Sequence, residues 1–252
     1  NKLLKKNIMI DLSADFRLTN AKIYNKYYGI KHISLNNLKK SIYGLTEINK
    51  KNLSKGKIIA CPGCYPTSIL LPLFPLIKKN LIDFKNIVID SKSGFSGAGR
   101  GVHKKFKNKN LYGSTSAYGI GSHRHNAEIQ QELSYIKKNI EFTFTPHILP
   151  MFRGILSTIY LNYKSKANLN NIYNELRRFY MSHKFIKILK NKALSTNDVI
   201  NTNNCQISVC KSKDKKKLII LSSIDNLIKG GAGQAVQNLN FIYNFKFNEG
   251  LK

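Results

Sequence analysis

Short apolar runs alternate with segments of helical periodicity along the first third of the chain. The runs at 8–12, 57–60 and 84–90 are short and end in polar or glycine-containing segments, which predicts buried strands. The stretch at 67–77 is apolar and long enough for a helix. A proline is tolerated in the first turn of such a helix, whereas Pro72 predicts a kink further along it.

The rest of the chain predicts strands and helices in uneven order. Strands are predicted over 142–145, 156–163, 206–209 and 218–222, and helices from 126 onward, over 168–179 and over 232–241. This order fits α/β elements combined with a more antiparallel α+β region. The longest apolar stretch, 69–77, is too short to cross a membrane and contains two prolines.

The charge balance of the 252 residues allows a nucleic-acid partner without requiring one. Lys and Arg number 42 against 13 Asp and Glu, a net charge of +29, and such charge can neutralise phosphates. Only six of these residues are arginines, however, and the lysines are spread through every segment, which favours a solvated lysine-rich surface. A basic RNA-binding protein with interleaved Lys and Tyr remains an alternative, and the run 104–107 could attract an anionic ligand.

The four cysteines allow three interpretations. Without a secretory signal they indicate a reducing, cytoplasmic compartment. Cys61 and Cys64 could form a redox pair, or could join Cys205 and Cys210 in a zinc site, although that spacing is poor. Alternatively, Cys64 alone could be a nucleophile, because it stands at a turn into a helix whose free N–H groups stabilise a thiolate. A buried, inert cysteine is the other possibility.

Two histidines and a glutamate form a second cluster. His123, His125 and Glu128 lie within six residues at a predicted helix entrance, and His125 and Glu128 share one face of that helix. The carboxylate could therefore orient the imidazole, which would act as a base beside a cysteine. A metal site or surface histidines capping the helix are the alternatives.

Two further segments could contact a ligand. The glycine-rich stretch 93–101 follows a predicted strand and lets the backbone approach a flat ring or a phosphate. It is not the dinucleotide fingerprint, because no amphipathic helix opens from it, and a plain turn is the alternative. Arg17 follows the first predicted strand and could grip a phosphate or carboxylate, or form a surface salt bridge with Asp15.

Together and in this order, these segments resemble the N-acetyl-gamma-glutamyl-phosphate reductase family of arginine biosynthesis. The matching stretches are 11–17, 43–47, 62–67, 91–100, 123–129, 144–147, 153–160 and 225–238, which span nearly the whole chain. The most specific part is Pro-Gly-Cys-Tyr-Pro-Thr at 62–67 combined with His-Arg-His-x-x-Glu-Ile at 123–129. The resemblance implies an NADPH-dependent reduction of an acyl phosphate to a semialdehyde, through a cysteine thioester.

The resemblance also implies a fold. We expect an α/β protein in which an incomplete Rossmann dinucleotide-binding domain carries an inserted α+β domain for substrate binding and dimerisation. Residues 1–64 would form the C-terminal part of the Rossmann domain, 65–224 the inserted domain, and 225–252 a return helix; a dimer or tetramer is implied. No pyrophosphate-binding turn precedes Asp11, so we expect weak NADPH binding and uncovered apolar surfaces near 8–12 and 235–242.

The resemblance assigns roles residue by residue. Cys64 would be the nucleophile and His125 the general acid/base, while Cys61 would have no redox role. Substrate binding would involve Arg17, His123, Glu128 and Arg153, and NADP binding Ser93, Gly94, Gly97, Ala98, Gly99, Asn226 and Gly230; no metal is implied. An alternative keeps this chemistry on a carrier-protein-linked aminoadipyl phosphate of lysine biosynthesis, where the basic surface would dock an acidic carrier.

Overall fold

The computed structural model describes residues 2–101, 113–164 and 167–252. The basic run 104–107 lies outside the described residues. No helix in the described ranges is long and apolar enough to cross a membrane.

The N-terminal part is built on a small parallel sheet. Its three strands are β1 (Met9–Asp11), β2 (Ser41–Tyr43) and β3 (Ile58–Ala60), in the order β1-β3-β2. The helices of this part are α1 (Lys2–Lys6), α2 (Ala21–Tyr28), α3 (Leu35–Leu38) and α4 (Thr46–Leu53). Strand β3 is central and fully buried, so its carboxyl end delivers the following loop into the interior.

A seven-stranded mixed sheet forms the larger part of the molecule. Its strands are β4 (Ile87–Gly94), β5 (Ser116–Ala117), β6 (Phe142–Leu149), β7 (Ile155–Asn162), β8 (Ile186–Lys190), β9 (Cys205–Lys211) and β10 (Lys217–Ile224). The order is β5-β6-β4-β7-β10-β9-β8, and only the β4–β6 and β8–β9 pairs are parallel. The two sheets confirm the predicted class, α/β with a more antiparallel region.

Four longer helices complete the fold. They are α5 (Cys64–Lys78), α6 (His125–Ser134), α7 (Leu169–Tyr180) and α8 (Gly233–Ile242). Helix α5 packs on β7 and β10, and α7 packs on β8 and β9. Helix α5 begins at Cys64 and contains both Pro72 and Pro75, so it is longer at its N-terminal end than its apolar run predicts.

Strand β4 differs from its sequence-based boundaries. The prediction covered 84–90, whereas the strand runs from Ile87 to Gly94 because it pairs with β6 along this whole length. Ser93 and Gly94 therefore belong to the strand, and the glycine-rich turn is a 3₁₀-helix over Phe95–Gly101.

The uncovered apolar surfaces expected near 8–12 and 235–242 stay a prediction, and each of these segments carries one exposed leucine. Strand β1 has β3 as its neighbour, and its other edge carries no strand within the described residues. Leu12, just after β1, is 51% exposed, and Leu239 on α8 is 37% exposed. The division of the chain at residues 64 and 224 stays a prediction.

Candidate active site

Cys64 occupies the start of helix α5, directly after the loop that leaves β3. Gly63 is the N-cap with an extended backbone, so the first N–H groups of the helix surround the cysteine. Cys64 is half-buried, whereas Cys61 is fully buried with its sulfur 3.7 Å from the amide nitrogen of Asn238. The two cysteines of the motif therefore have different environments, and Cys64 is the accessible one.

The thiol of Cys64 is not ionised by this environment. Burial raises the pKa of Cys64 to about 11, even though the charge of Arg17 and the N–H of Tyr65 act in the opposite direction. The helix N-terminus therefore does not produce the resting thiolate that the sequence predicts, because desolvation outweighs it. A nucleophilic Cys64 needs a base that takes its proton.

His125 stands where such a base is needed. It is the first residue of α6, is 5% exposed, and its Nε2 lies 2.4 Å from the position of a Cβ built on Gly63. Burial, followed by the neighbouring His123 and Arg17, holds the pKa of His125 well below its usual value. Its imidazole is therefore neutral at physiological pH and can accept a proton.

His123 fixes the entrance of helix α6. Its Nδ1 accepts a hydrogen bond from the backbone N–H of His125 at 3.1 Å, and its ring centroid lies 4.7 Å from that of His125. The rings of Tyr65, Tyr118 and Phe144 surround His123 at 5.4 to 5.7 Å. The two histidines are therefore packed side by side in an aromatic setting.

Glu128 contacts the cysteine loop rather than the histidine. It is 1% exposed, and its Oε1 accepts hydrogen bonds from the N–H of Gly63 at 2.8 Å and the hydroxyl of Tyr43 at 2.7 Å. The Nδ1 of His125 has no hydrogen-bond partner in the described part of the chain. The predicted orientation of the imidazole by Glu128 is therefore wrong, although helical spacing does place both side chains on the inner face of α6.

Arg17 joins three parts of the site. Its Nε donates to the carbonyl of Cys61 at 2.7 Å, its Nη2 donates to that of Leu12 at 3.1 Å, and its Nη1 lies 3.7 Å from Oε2 of Glu128. The alternative of a surface bridge to Asp15 is wrong, because Asp15 accepts from the hydroxyl of Tyr24 instead. Arg17 thus holds the loops after β1 and β3 together.

Arg153 lies in a separate polar group at the end of the large sheet. Its Nε is 3.2 Å from the fully buried carboxylate of Asp225, and it also contacts Asn201. Asp225 accepts hydrogen bonds from the backbone of Leu227 and Ile228. Arg153 therefore stabilises the start of the segment that leads to Gly230.

The predicted cofactor-binding residues fall in two places, one where Gly97 lies near Ser93 and Asn226, and one where Gly230 packs on Cys64. Ser93 and Gly94 end β4, and Gly97, Ala98 and Gly99 lie in the following 3₁₀-helix. Asn226 accepts from the N–H of Gly154 and donates to the hydroxyl of Ser96. A Cβ on Gly230 would lie 2.7 Å from the Cβ of Cys64.

Part of this set fits a flat nicotinamide ring. Gly97 is exposed, and Ala98 is half-exposed, so a small-residue backbone surface is open to a flat ring near Asn226. Gly94 differs from them, because its missing Cβ makes room for the backbone of Phe152, 2.5 Å away. The set therefore fits a ring approaching from the side of Gly97 and Ala98, with Gly94 serving the packing.

Two charged residues of this region were missed by the sequence analysis as site residues. Lys229 is completely buried and pairs with Glu47 at 2.5 Å. The available signal was a single lysine followed directly by two glycines at the entrance of the last helix.

The four cysteines are free, and no group of three His, Cys, Asp or Glu side chains among the described residues could hold a metal ion.

Comparison with known proteins first defines the class. The family model "Semialdehyde dehydrogenase, dimerisation domain" matches residues 64–226. The fold resembles aspartate semialdehyde dehydrogenase II from Vibrio cholerae, with a TM-score of 0.64 at 14% identity over 84% of this chain and 70% of that one. The fold is also similar to that of aspartate semialdehyde dehydrogenase from Francisella tularensis. The TM-score is 0.64 at 16% identity, over 83% of this chain and 73% of that one. The chain is a protein of the semialdehyde dehydrogenase class.

Curated relatives define the family more closely. N-acetyl-gamma-glutamyl-phosphate reductase from Campylobacter jejuni subsp. doylei is 44% identical over 99% of this chain and 74% of its own length. The same enzyme from Clostridium botulinum strain Alaska E43 is 47% identical with the same coverage. A probable chloroplastic N-acetyl-gamma-glutamyl-phosphate reductase from Arabidopsis thaliana is 43% identical over 96% of this chain and 61% of its own length. This chain belongs to the N-acetyl-gamma-glutamyl-phosphate reductase family, which confirms the resemblance drawn from its motifs.

Proposed function

We propose that this protein reduces N-acetyl-gamma-glutamyl phosphate to N-acetyl-glutamate semialdehyde and phosphate with NADPH, by way of a thioester on Cys64. The single observation that carries the chemistry is the placement of His125 Nε2 against Gly63, the residue before Cys64. The substrate is supported by the names of relatives that match almost the whole chain. Nothing in these relatives or in the family match favours the RNA-binding or carrier-protein alternatives.

The first half of the reaction forms the thioester. The neutral imidazole of His125 takes the proton of the Cys64 thiol as the sulfur attacks the acyl carbon. The bond between that carbon and the phosphate oxygen breaks, and phosphate leaves with its electron pair. We assign Arg17 and Arg153, with His123 and Glu128, to substrate binding, as the resemblance implies.

The second half of the reaction releases the aldehyde. A bound nicotinamide cofactor supplies the hydride for the thioester carbon. The protonated His125 then gives its proton back, and the carbon–sulfur bond breaks, so that Cys64 is regenerated as a thiol. The low proton affinity that burial gives to His125 favours this return.

We assign the cofactor face to the segments around Ser93, Gly97 and Asn226. Ala98, Gly99 and Gly230 complete the proposed set, as the resemblance implies, and Gly94 supports it by packing on the backbone of Phe152. The family indicates a nicotinamide cofactor, and the preference for NADP over NAD is part of the proposal. Comparing initial rates with NADPH and NADH at equal concentration tests it.

We also propose a homo-oligomer, a dimer or tetramer, in the cytoplasm. The dimerisation-domain match supports association, as does the face of the large sheet where the paired residues Val88 and Tyr160 are each 42% exposed. The free cysteines are compatible with a reducing compartment. Light scattering on the purified protein measures the assembly.

The proposed function is tested by combining an assay with thiol labelling. We expect NADPH oxidation that depends on N-acetyl-gamma-glutamyl phosphate, and no oxidation with a carrier-linked aminoadipyl phosphate. The acyl phosphate should also protect Cys64 from alkylation, as read by peptide mass spectrometry. Protection of Cys64 by the carrier-linked aminoadipyl phosphate alone would contradict the substrate assignment. If neither acyl phosphate changes the alkylation of Cys64, its proposed role as nucleophile is wrong.

A further inference from the structure

A buried ion pair includes the residue next to Gly230, which packs on the proposed nucleophile. Lys229 Nζ lies 2.5 Å from Oε1 of Glu47 and donates to Oε1 of Gln237 at 2.8 Å. The side chains of Lys229 and Glu47 are 0% and 1% exposed. Lys229 belongs to the segment after β10, whereas Glu47 lies in the first turn of α4. The pair therefore connects the last part of the chain to the N-terminal part.

Further hydrogen bonds fix this pair in one arrangement. The Nε2 of Gln237 donates to Oε1 of Glu47 at 2.8 Å, and Asn203 donates to Oε1 of Gln237 at 2.8 Å. The charge of Lys229 lowers the pKa of Glu47 even though burial acts to raise it. The carboxylate is therefore ionised, and its attraction to Lys229 operates in a medium that screens it weakly.

The segment that carries Lys229 has an unusual backbone. Residues Ile228–Ala232 form a π-helix, with the N–H of Gly230 bonded to the carbonyl of Asp225 at 2.9 Å and that of Ala232 to Leu227 at 2.9 Å. Single π-turns are rare and are found frequently at functional sites. Two side chains hold this segment in place. The Asp225 carboxylate accepts hydrogen bonds from the backbone at its start, and Lys229 anchors it from within.

The residue after Lys229 touches the cysteine. A Cβ placed on Gly230 would lie 2.7 Å from Cβ and 3.0 Å from Cα of Cys64. The backbone of Gly230 thus packs directly on Cys64, without room for a side chain. A displacement of the π-helical segment therefore changes the packing on Cβ of Cys64, the carbon that carries the sulfur.

We infer that the Lys229–Glu47 ion pair positions Cys64, by holding Gly230 of the π-helical segment against it. Lys229 and Glu47 are positioning residues, and the inference rests on the proposed function only in taking Cys64 as the nucleophile. A buried ion pair adds little net stability compared with apolar side chains of similar volume. A positioning role uses the geometric requirement of the pair, since Oε1 of Glu47 accepts hydrogen bonds from both Lys229 and Gln237 in one arrangement.

The test replaces both members of the pair at once. Lys229→Met or Glu47→Gln alone leaves a buried group without its partner and destabilises the fold. The double substitution Lys229→Met with Glu47→Gln removes the charges together, so that the protein folds with a melting temperature close to the parent value. Thr46→Val is the matched control, because it removes buried hydrogen bonds between α4 and α8 without touching Lys229.

Alkylation by iodoacetamide reports the position of Cys64 without requiring turnover. In the double variant we expect Cys64 to react about fivefold faster or more, because its cover is loosened and its sulfur gains solvation. Buried Cys61 should stay unreactive, and half-exposed Cys210 should keep its rate, which distinguishes a local change from general loosening. The Thr46→Val control should leave the rate at Cys64 unchanged.

Kinetics give the second measurement. We expect kcat of the double variant to fall about tenfold or more with KM within about twofold, because the misplaced sulfur affects the chemical step. An unchanged alkylation rate at Cys64, new reactivity of Cys61, or loss of folding in the double variant would each overturn the inference. If the parent protein shows no reductase activity, the proposed function fails separately, and alkylation still decides the role of the pair.

Discussion

The buried carboxylate of Glu128 accepts a hydrogen bond from the backbone N–H of Gly63 at 2.8 Å. One helix, α6, therefore carries both His125 and the group that anchors the loop before Cys64. The proposed nucleophile Cys64 and the proposed base His125 are held near each other through this bond, although they are 61 residues apart in the sequence. The close placement of His125 against Gly63 follows from the same contact.

Loss of this anchor is expected to lower activity and stability. Glu128→Ala leaves Arg17 without its buried partner, so we expect the free energy of unfolding to fall by about 3 kcal/mol and kcat/KM by about 100-fold. Urea denaturation and steady-state kinetics measure the two effects. Glu132→Gln, one turn further along α6, is the control: burial raises the pKa of Glu132 to about 7, and neither stability nor rate should change much.

The two cysteines of the motif are expected to differ in function. Cys64→Ser should abolish NADPH oxidation, because a serine hydroxyl in this site is a much weaker nucleophile. Cys61→Ser should keep substantial activity, since that sulfur is fully buried and contacts Asn238. Equal loss in both variants would instead favour a redox pair. Circular dichroism of both proteins checks that each is folded.

A methyl group on Gly63 is expected to disable the base. Gly63→Ala would place a carbon 2.4 Å from Nε2 of His125, which must move the imidazole away. We expect kcat to fall about 100-fold, since a displacement of about 1 Å has this effect. Gly29→Ala has no neighbour within 4 Å at the new carbon and should cost about 1 kcal/mol of stability through its left-handed backbone, with unchanged activity.

The alkylation rate of Cys64 is expected to increase with pH well beyond neutrality. Burial raises the pKa of this thiol to about 11, so the reactive thiolate fraction grows about tenfold per pH unit between about pH 7 and pH 9. Stopped-flow alkylation with peptide mapping measures this slope. A plateau below pH 8 would show instead that Cys64 and His125 form a thiolate–imidazolium pair at rest.

Acid is expected to destabilise the fold through His125. Its pKa in the folded protein is lowered well below the usual value, mainly by burial, so the unfolded chain binds the proton more readily. The contribution of His125 to stability is complete above its unfolded pKa of about 6.5 and is lost as pH falls toward the lower folded value. Denaturation midpoints from pH 7 to 5 should therefore decrease, and less so in His125→Asn.

Several elements of the fold follow from local sequence patterns. The apolar runs that become β1 and β3 and the helix at Leu169–Tyr180 lie within one or two residues of their predicted positions. Local patterns failed where pairing partners set the limits, as in β4, which extends to Gly94 because β6 and β7 continue beside it. The family was predictable from the motifs because they are specific in combination.

Helix α8 shows where periodicity misleads. Its apolar residue Leu239 is 37% exposed, whereas Gln234, Gln237 and Asn238 are buried. The side-chain nitrogens of these amides donate to partners on α4 and its preceding loop, namely Thr46, Glu47 and the carbonyl of Gly44. Polar groups can be buried when each finds a partner, and those partners are almost 200 residues away in the sequence.

The sequence by itself determined the family, the cysteine and histidine motifs, and the alternation of strands and helices, because these depend on neighbouring residues. Only the tertiary structure decided that Glu128 anchors Gly63, that Arg17 faces Glu128 rather than Asp15, and that Cys64 rests as a thiol. Those outcomes depend on desolvation and on contacts between distant segments. Desolvation and these distant contacts arise only when the chain is packed.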